Sequence, residues 1–248
     1  MESVIIITGG SRGIGRATAI KAAAKGYAVV INYLSNTAAA GEVVDAIKAA
    51  GGKAVAVKAD ISQEADVINL FAEAGKLGVI TALVNNAGII ASKQSTVAGM
   101  DAARLQKVFA TNVTGSFICA REAVKRMSTK NGGKGGAIVN VSSKAAAHGS
   151  PFEYVDYAAS KGAIDTFTIG LSKEVADEGI RVNAVRPGII ETEIHASGGE
   201  PNRVARIAPT LPMKRGGTAD EVANTILWLL SGEASYITGA LVDVAGGR

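Results

Sequence analysis

Tyr157 and Lys161, in the segment Tyr157-Ala-Ala-Ser-Lys161, are the residues whose types and spacing indicate chemistry most directly. Residues four apart lie on one face of a helix, so the two side chains are expected side by side. A free tyrosine has a pKa of about 10 and is a poor acid or base at neutral pH. A neighbouring ammonium group stabilises the phenolate, and a pKa lowered by ~2 units corresponds to about 2.7 kcal/mol. The pair therefore indicates proton transfer, although an exposed helix face can also carry both residues by chance.

Two serines form a second candidate group, because Ser142 and Ser143 close an apolar segment that begins at Gly136. The segment is typical of a strand, and ligands of open α/β sheets bind at the carboxyl ends of the strands. Side chains of neighbouring strand residues point to opposite faces. Only one of the two serines should therefore reach a ligand, and spacing alone does not say which.

The glycine-rich segment Thr8-Gly-Gly-Ser-Arg-Gly-Ile-Gly15 follows the first predicted strand and opens the first predicted helix. Backbone N–H groups at a helix N-terminus bind phosphate, and glycines let the phosphate approach closely. Any strand–helix turn could contain three glycines, but this placement favours phosphate binding. The predicted phosphate-binding residues are Gly9, Ser11, Arg12, Gly13, Ile14 and Gly15.

Short β-branched segments alternate with longer amphipathic ones along the whole chain, and this alternation indicates the elements that position these residues. Strands are predicted at 4–8, 28–32, 54–58, 82–85, 137–141, 181–185 and 240–244. Helices are predicted at 14–25, 37–50, 111–127 and 155–178, and a capping box, Thr218-Ala-Asp-Glu221, opens another. Regular strand–helix alternation implies right-handed crossovers and a parallel sheet covered on both faces. The predicted fold class is therefore α/β: a single-domain Rossmann fold, with a doubly wound parallel sheet of about seven strands.

The length of 248 residues suits one domain spanning 1–248, with no repeat and no linker rich in proline or serine. One long segment, residues 192–212, has no clear period. A loop of that length in a compact domain is typical of a lid or a binding loop, and we predict a substrate lid there.

The composition narrows the class of protein. Hydrophobic residues make up 48% of the chain and charged residues 19%, with a net charge of +4, which suits a folded globule. Lysines and arginines are interspersed with acids and aromatic residues are few, so nucleic acid is not expected as a partner. Cys119 is the single cysteine, which excludes an intrachain disulfide and a cysteine-based zinc cluster, and no metal site is expected. We expect a cytoplasmic protein with no membrane partner, because the sequence has neither a long apolar run nor a signal-peptide pattern.

Together, the motifs resemble those of the short-chain dehydrogenases/reductases. The glycine spacing Gly-x3-Gly-x-Gly, the segment Asn85-Asn-Ala-Gly88, the Tyr157/Lys161 pair and the segment Arg186-Pro-Gly-Ile-Ile-Glu-Thr192 occur in the family's order and spacing. The matching motifs span residues 8–192, and the resemblance covers essentially the whole chain. It implies an oxidoreductase that transfers hydride between a nicotinamide dinucleotide and a small-molecule carbonyl or alcohol.

The resemblance also implies four catalytic residues. It aligns the second serine of the pair with the catalytic one, so Ser143 is chosen over Ser142. Tyr157 would protonate the developing alkoxide, Ser143 would hydrogen-bond it, and Lys161 would hold the ribose and tune the tyrosine. Asn112 would position a water for proton relay, although by itself it would be read as a helix cap or a core hydrogen-bonding residue.

The remaining cofactor contacts are assigned by the same resemblance. Asp60 with Ile61 would contact the adenine, although Asp60 could equally cap the next helix or turn. The segment Asn86, Ala87 and Gly88 would lie beside the adenine ribose. The turn after the sixth strand would hold the carboxamide, and its predicted contact residues are Pro187, Gly188, Ile190 and Thr192.

The second strand bears on the choice between the two nicotinamide cofactors. An acid at its end would bind the ribose hydroxyls and repel a 2′-phosphate, but the sequence here is Asn32-Tyr33-Leu34-Ser35-Asn36. Arg12 supplies a cation in the glycine turn, although it could also be a solvated surface charge. We therefore expect NADP(H) rather than NAD(H), with Asn32, Tyr33 and Ser35 beside its ribose.

The substrate is less defined, and its contacts are expected from residues 92–94, 145–154 and the lid. His148 and His195 fall in these regions and are interpreted as surface or loop histidines, while Glu153 could bind substrate hydroxyls or cap the approaching helix. Two branches of the family are similar: the glucose dehydrogenase-like enzymes and the 3-oxoacyl-carrier-protein reductases. Asp177-Glu178 stands where the carrier-protein reductases tend to carry basic residues. The interpretation is therefore a carbonyl/alcohol oxidoreductase of unknown substrate, for which a sugar- or polyol-like compound is favoured.

Two further expectations concern the class and the assembly. Some relatives bind dinucleotide as non-catalytic regulators with a broken tetrad, but all four tetrad positions are filled here. The family usually forms tetramers through the two long helices beside the catalytic strand and through the C-terminal strand. A homotetramer is therefore expected, and Trp228 could lie either in the core or at the second of these contacts.

Overall fold

The computed structural model describes residues 2–248. All seven strands are parallel and hydrogen-bonded in the order β3-β2-β1-β4-β5-β6-β7. The strands are β1 Ser3–Ile7, β2 Ala28–Tyr33, β3 Lys53–Lys58, β4 Val79–Asn85, β5 Gly136–Val141, β6 Ile180–Pro187 and β7 Leu241–Val244. The predicted α/β class, parallel sheet and strand number are confirmed.

Helices connect the strands and cover the sheet. They are α1 Gly13–Ala24, α2 Thr37–Ala49, α3 Glu64–Gly75, α4 Ala102–Phe109, α5 Gly115–Met127, α6 Ala145–His148, α7 Val155–Glu174, α8 Ile194–Ser197, α9 Arg203–Ile207 and α10 Ala219–Leu230. The predicted capping box is present: Thr218 accepts from the backbone of Glu221, and the Glu221 side chain accepts from the backbone of Thr218. Among residues 2–248 there is no helix whose length and apolar character would let it cross a membrane.

The sheet has two apolar faces, and the first strand shows how the sequence produces them. Alternate residues of a strand face opposite ways. Ile5 and Ile7 pack into a core with α1, α2 and α10, whereas Val4 and Ile6 pack into a second core with α3 and α5. Both faces are therefore buried, as the continuous run of β-branched residues requires. Cys119 lies in the second core, where burial raises its pKa to about 12.

Two predicted helices and the predicted lid differ from the structure. The segment expected as one helix over 111–127 begins with a π-helical turn, Ala110–Thr114, that joins α4 to α5. The helix expected over 155–178 ends at Glu174, and a short 3₁₀ turn leads to Gly179 at φ 73°. The lid expected without regular structure contains α8, α9 and the 3₁₀ turn Ala208–Thr210. These lid helices are too short to give a periodic pattern.

Candidate active site

A cleft of about 630 Å³ runs along the carboxyl ends of the strands. It crosses the point where the strand order reverses, because β1 lies between β2 and β4, and ligands of open α/β sheets bind at such points. Of the residues predicted to bind cofactor or to act in catalysis, all but Gly15 and Asn112 line this cleft. The structure thus brings together residues that lie as far apart in the sequence as Gly9 and Thr192.

The glycine turn has the backbone that an anionic group requires. Gly9 and Gly13 have φ values of +62° and +51°, in the left-handed region that favours glycine. Arg12 is the N-cap of α1; within the described chain no side chain caps this end, and the first helical turn holds no acid. Free N–H groups and the positive end of the helix dipole suit a phosphate, so the turn fits the pyrophosphate of a dinucleotide.

Gly15 lies behind the turn and contributes to packing. A Cβ at this position would lie 2.6 Å from Nδ2 of Asn86. That same Asn86 amide donates to the carbonyl oxygens of Thr8 at 2.8 Å and Gly9 at 3.0 Å. Gly15 therefore lets α1 approach a hydrogen-bonded junction between β1 and the Asn86–Gly88 segment.

Asn32 has a different placement from the one expected of a cofactor contact. Although it borders the cleft, the residue is buried, and its Oδ1 accepts from the Gly9 N–H at 3.2 Å. Its Nδ2 donates to the carbonyl of Ala59 at 2.9 Å. The amide thus ties the end of β2 to the glycine turn and to the end of β3. Tyr33 and Ser35 are the more accessible residues of this segment, with Tyr33 half-buried and Ser35 exposed.

Asp60 both lines the cleft and stabilises a local turn. Its Oδ1 accepts from the backbone N–H of Ser62 at 2.9 Å and from the Ser62 hydroxyl at 2.7 Å. The capping interpretation therefore accounts for one carboxylate oxygen. The second oxygen, Oδ2, is free of these bonds and can accept from a ligand in the cleft, where Ile61 is its neighbour.

Ser143, Tyr157 and Lys161 meet at the centre of the cleft. The Ser143 hydroxyl is near enough to the Tyr157 phenol to lower the pKa of that phenol by hydrogen bonding. Lys161 is buried; its Nζ donates to the carbonyl of Val141 at 2.7 Å and lies 5.6 Å from the centre of the Tyr157 ring. Ser142 is buried and donates to the carbonyl of Lys161 at 3.1 Å. The two serines therefore have different roles: Ser142 bonds the backbone of α7, and Ser143 faces Tyr157.

Burial controls the protonation of this group. Burial raises the pKa of Tyr157, and the hydrogen bond from Ser143 offsets this only in part. Burial also lowers the pKa of Lys161 to about 8, opposed by the negative charge of Asp165. The expected lowering of the tyrosine pKa by the lysine is thus wrong for the protein alone. The reason is that desolvation outweighs an ammonium group held by a backbone carbonyl.

Asn112 lies behind the cleft, in the π-helical turn, and both ends of its side-chain amide are hydrogen-bonded within the protein. Its Oδ1 accepts from the N–H of Ile89 at 2.8 Å, and its Nδ2 donates to the Ile89 carbonyl at 2.9 Å and to the Ser160 hydroxyl at 3.0 Å. The side chain therefore fixes the loop after β4 against the catalytic helix. The backbone carbonyl of Asn112 accepts from Ser116 at 3.0 Å and keeps a second lone pair that a water could use.

The turn after β6 closes the other end of the cleft. Gly188 donates to the carbonyl of Val244 at 3.0 Å, and a Cβ on it would lie 2.8 Å from the Cα of Ala245. The Thr192 side chain faces Gly13 across the cleft, with Cγ2 at 3.2 Å from the position of a Cβ there. Pro187 and Ile190 also line the cleft, so the predicted turn is adjacent to the glycine turn.

The substrate end is lined by Ile90, by parts of 145–154 and by the lid. Residues 92–94, expected there, do not line the cleft within the described chain; Gln94 instead bonds Glu200 of the lid at 2.6 Å. His148 is exposed, and His195 is half-buried with Nε2 2.9 Å from the Ile190 carbonyl. Burial lowers the pKa of His195.

Sequence reasoning missed two groups of charged residues near the site. Asp165, one helical turn beyond Lys161, pairs with Arg186 at 2.9 Å. Its spacing of four from Lys161 was a signal that could have found it. Arg203, in the lid, pairs with Glu153, and no local spacing joins residues that far apart.

The family comparison covers most of the chain. Residues 9–248 match a family model described as enoyl-(acyl carrier protein) reductase. The chain is 60% identical to "Uncharacterized oxidoreductase YgfF" of Escherichia coli K12 over 247 residues, which cover 99% of this chain and 100% of that protein. It is 39% identical to a 3-oxoacyl-[acyl-carrier-protein] reductase of Synechocystis, covering 98% of this chain and 96% of the relative. It is also 39% identical to glucose 1-dehydrogenase 2 of Bacillus subtilis, covering 98% of this chain and 93% of the relative.

Solved structures have the same architecture. A dehydrogenase/reductase from Sinorhizobium meliloti superposes with a TM-score of 0.90 at 30% identity, covering 99% of this chain and 94% of that one. A blue fluorescent protein from a metagenomic library, solved in complex with NADPH, superposes with a TM-score of 0.89 at 30% identity, covering 99% and 97%. The likeness extends over the whole sheet and both layers of helices.

Proposed function

This chain belongs to the short-chain dehydrogenase/reductase family of oxidoreductases, and from that premise we propose that it interconverts a carbonyl and an alcohol with NADP(H). The observation that carries the proposal is the juxtaposition in one cleft of Ser143, Tyr157 and Lys161 with an uncapped, glycine-rich helix N-terminus. The first group suits proton transfer to an oxygen atom, and the second suits a pyrophosphate.

When bound, the nicotinamide supplies or accepts the hydride. The chain's own residues manage the proton and the orientation. Tyr157, kept protonated at neutral pH by its burial, would give its proton to the oxygen of the substrate carbonyl during reduction. Ser143 would donate a hydrogen bond to the same oxygen, and Lys161 would donate to the nicotinamide ribose.

Other residues would hold the cofactor along the cleft. The glycine turn would bind the pyrophosphate, Asp60 and Asn86–Gly88 would flank the adenosine, and Thr192 with the Ile190 backbone would hold the carboxamide. Asn112 and Asn32 would act through the backbone segments that they fix. A water held by the Asn112 carbonyl would connect the proton relay to Lys161.

The preference for NADP(H) over NAD(H) is supported by the charges at the adenosine end. Arg12 lines the cleft and is exposed, and the segment Asn32–Asn36 holds no acid that would repel a 2′-phosphate. The NADPH complex of a structural relative is consistent with this preference.

The substrate that we favour is a small carbonyl or alcohol compound, hydroxylated in the manner of a sugar or polyol. Polar side chains at the substrate end, Glu153 and Arg203 among them, support this class. A second candidate is a 3-oxoacyl thioester, favoured by the description of the matching family model and by the relative in Synechocystis.

The test is a kinetic panel run with the purified protein in both directions. Ketones, sugars, polyols and a 3-oxoacyl thioester would each be assayed with NADPH or NADP⁺ and with NADH or NAD⁺. The proposal expects steady turnover of a small carbonyl compound with a higher kcat/KM for NADPH than for NADH. A higher kcat/KM for NADH would overturn the cofactor assignment. Absence of turnover with every substrate would favour a dinucleotide-binding regulator.

We also propose a homotetramer, as the family resemblance implies. Exposed apolar side chains on the helices beside the catalytic strand support this assembly, with Phe117 at 45% and Ile169 at 39% exposure. Phe117 stacks on Phe167 with ring centres 3.7 Å apart, so α5 and α7 present one apolar surface. Trp228, 40% exposed on α10, would lie at the second contact.

A further inference from the structure

Arg203 joins the lid to the opposite wall of the substrate end. It lies on α9, and its side chain is only 11% exposed. Its Nη1 donates to Oε1 of Glu153 at 3.2 Å, while its Nη2 contacts Oε2 of the same carboxylate. This is the two-pronged geometry in which a guanidinium binds a carboxylate most strongly.

Glu200 extends the contact to a third segment. Its Oε2 accepts from Arg203 at 2.7 Å and from Arg206 at 2.7 Å, and its Oε1 accepts from Gln94 at 2.6 Å. Gln94 belongs to the loop after β4, and Glu153 to the loop before α7. The lid is therefore fastened to both loops through charged or amide groups.

Tyr154 contacts the lid at the same place. It is buried, and its hydroxyl donates to the carbonyl of Gly198 in the lid at 2.8 Å. The guanidinium carbon of Arg203 lies 5.7 Å from the centre of its ring, within the range of a cation–π interaction. Glu153, Tyr154 and Arg203 all line the cleft.

We propose that Arg203 is a positioning residue of this site: paired with Glu153, it holds the lid closed over the substrate end of the cleft. Helix α9 has five residues, too few to be stable without tertiary contacts, so the lid depends on these bonds. The Arg203–Glu153 pair is also more shielded from solvent than an ordinary surface ion pair. Salt and water therefore screen its electrostatic attraction less. The Arg203–Glu153 pair holds the wall of the substrate end and does not reach the reacting oxygen. Loss of the pair should therefore affect substrate binding more than proton transfer.

The role in substrate binding rests on the proposed function, whereas the closure of the lid can be measured without turnover. We would compare wild type, Arg203→Met, Glu153→Gln, the double variant and Arg203→Lys, each with saturating NADPH as probe. Lys130→Met, which breaks the surface pair of Lys130 with Asp177, is the matched control. The readouts are amide hydrogen exchange of residues 194–210, and KM and kcat for any small carbonyl compound that the wild type reduces.

The proposal expects each single variant to raise lid exchange by at least about tenfold. The double variant should be no worse than Arg203→Met alone, because Glu153→Gln has no further effect on the pair once Arg203 is absent. KM should rise with kcat nearly unchanged, Arg203→Lys should restore part of the protection, and Lys130→Met should match wild type.

Unchanged lid exchange in both Arg203→Met and Glu153→Gln would overturn the proposal, as would a strict addition of their effects. Glu153→Gln keeps the shape of the side chain but replaces one acceptor oxygen with a donor NH2, so it breaks the two-pronged contact and stays informative if Arg203→Met is poorly folded. A wild type that reduces nothing, with lid exchange responding as expected, would overturn the proposed function and leave the role of Arg203 supported.

Discussion

At the scale of single residues, burial rather than the spacing of side chains controls the chemistry. Lys161 is almost fully buried, with one bond to the Val141 carbonyl, and its pKa falls to about 8. A lysine in the unfolded chain has a pKa near 10.5. Lys161, which would bind the cofactor, therefore lowers the stability of the fold when its amine is charged.

This cost leads to a prediction about pH. Below pH 8 both the folded and unfolded states hold the Lys161 proton. Between pH 8 and 10.5 the folded state has released the proton and the unfolded state still binds it, so stability rises with pH. The free energy of unfolding of wild type, relative to Lys161→Met, should rise by up to about 3 kcal/mol across that interval. Denaturant unfolding at several pH values measures it.

The exposed Lys173 on the same helix supplies the control. The difference in the free energy of unfolding between wild type and Lys173→Met should change little between pH 8 and 10.5. A flat difference between wild type and Lys161→Met from pH 8 to 10.5 would mean that the buried amine is not desolvated as described.

Sequence spacing predicted which residues meet in the cleft but not how their side chains are used. Tyr157, Lys161 and the pair Ser142-Ser143 were found because a helical period and a strand end are local properties, and the family resemblance selected Ser143 from the pair. The side chains of Asn32 and Asn112 bond backbone groups of residues that are distant in sequence, including Ala59 and Ile89. Such bonds depend on the relative placement of whole elements, which no local pattern records.

At the scale of elements, some helical glycines lie where the helix packs closely on its neighbours, and others face open space. Gly15 in α1 faces the Asn86 amide, whereas a Cβ on Gly41 in α2 would meet no atom within 4 Å. Both residues are helical and neither has a positive φ. Gly15 and Gly41 form a matched pair, because helix propensity alone predicts the same change in stability when either glycine is replaced by alanine.

Gly15→Ala should destabilise the fold by about 1–3 kcal/mol, because its methyl group would push α1 away from the junction of β1 and Asn86. It should also weaken NADPH binding by at least about tenfold, since the phosphate turn would move with the helix. Gly41→Ala should instead stabilise by about 0.5–1 kcal/mol. Thermal unfolding and NADPH fluorescence titration measure these effects. Equal stability changes in the two variants would contradict the close packing at Gly15.

The prediction of elements succeeded where the pattern is repeated and failed where it is short. Six of the seven strands begin within one residue of the predicted position; β4 begins three earlier, at Val79. The π-helical turn at Ala110–Thr114 overlaps the segment predicted as a regular helix from residue 111, and the sequence pattern did not reveal it. Helices α8 and α9, of four and five residues, are held by contacts such as Arg203 with Glu153. Tertiary contacts of this kind are outside the reach of a periodicity argument.

At the scale of the whole molecule, the apolar surface on α4, α5 and α7 is the feature that a monomer would not need. Leu105, Phe109, Phe117 and Ile169 are each between 37% and 45% exposed. Several exposed apolar side chains of this size on packed helices are typical of a protein–protein contact. In the proposed tetramer, two copies would bury this surface against each other.

Phe117→Arg should therefore lower the mass in solution, because it places a charge in the centre of that contact. Light scattering on a sizing column at micromolar concentration measures the mass. Ile68→Arg, on α3 and 45% exposed, is the control and should leave the assembly intact. A wild-type protein that is monomeric under these conditions would contradict the tetramer.

The proposed chemistry of the cleft is tested most directly by the turnover of Tyr157→Phe with NADPH and the best substrate of the wild type, together with its affinity for NADPH. The substitution removes the acidic hydroxyl and keeps the ring packed beside Lys161. We expect a loss of kcat of at least about 100-fold, with NADPH binding within about twofold of wild type. Turnover close to that of the wild type would contradict Tyr157 as the proton donor, and with it the proposed reaction.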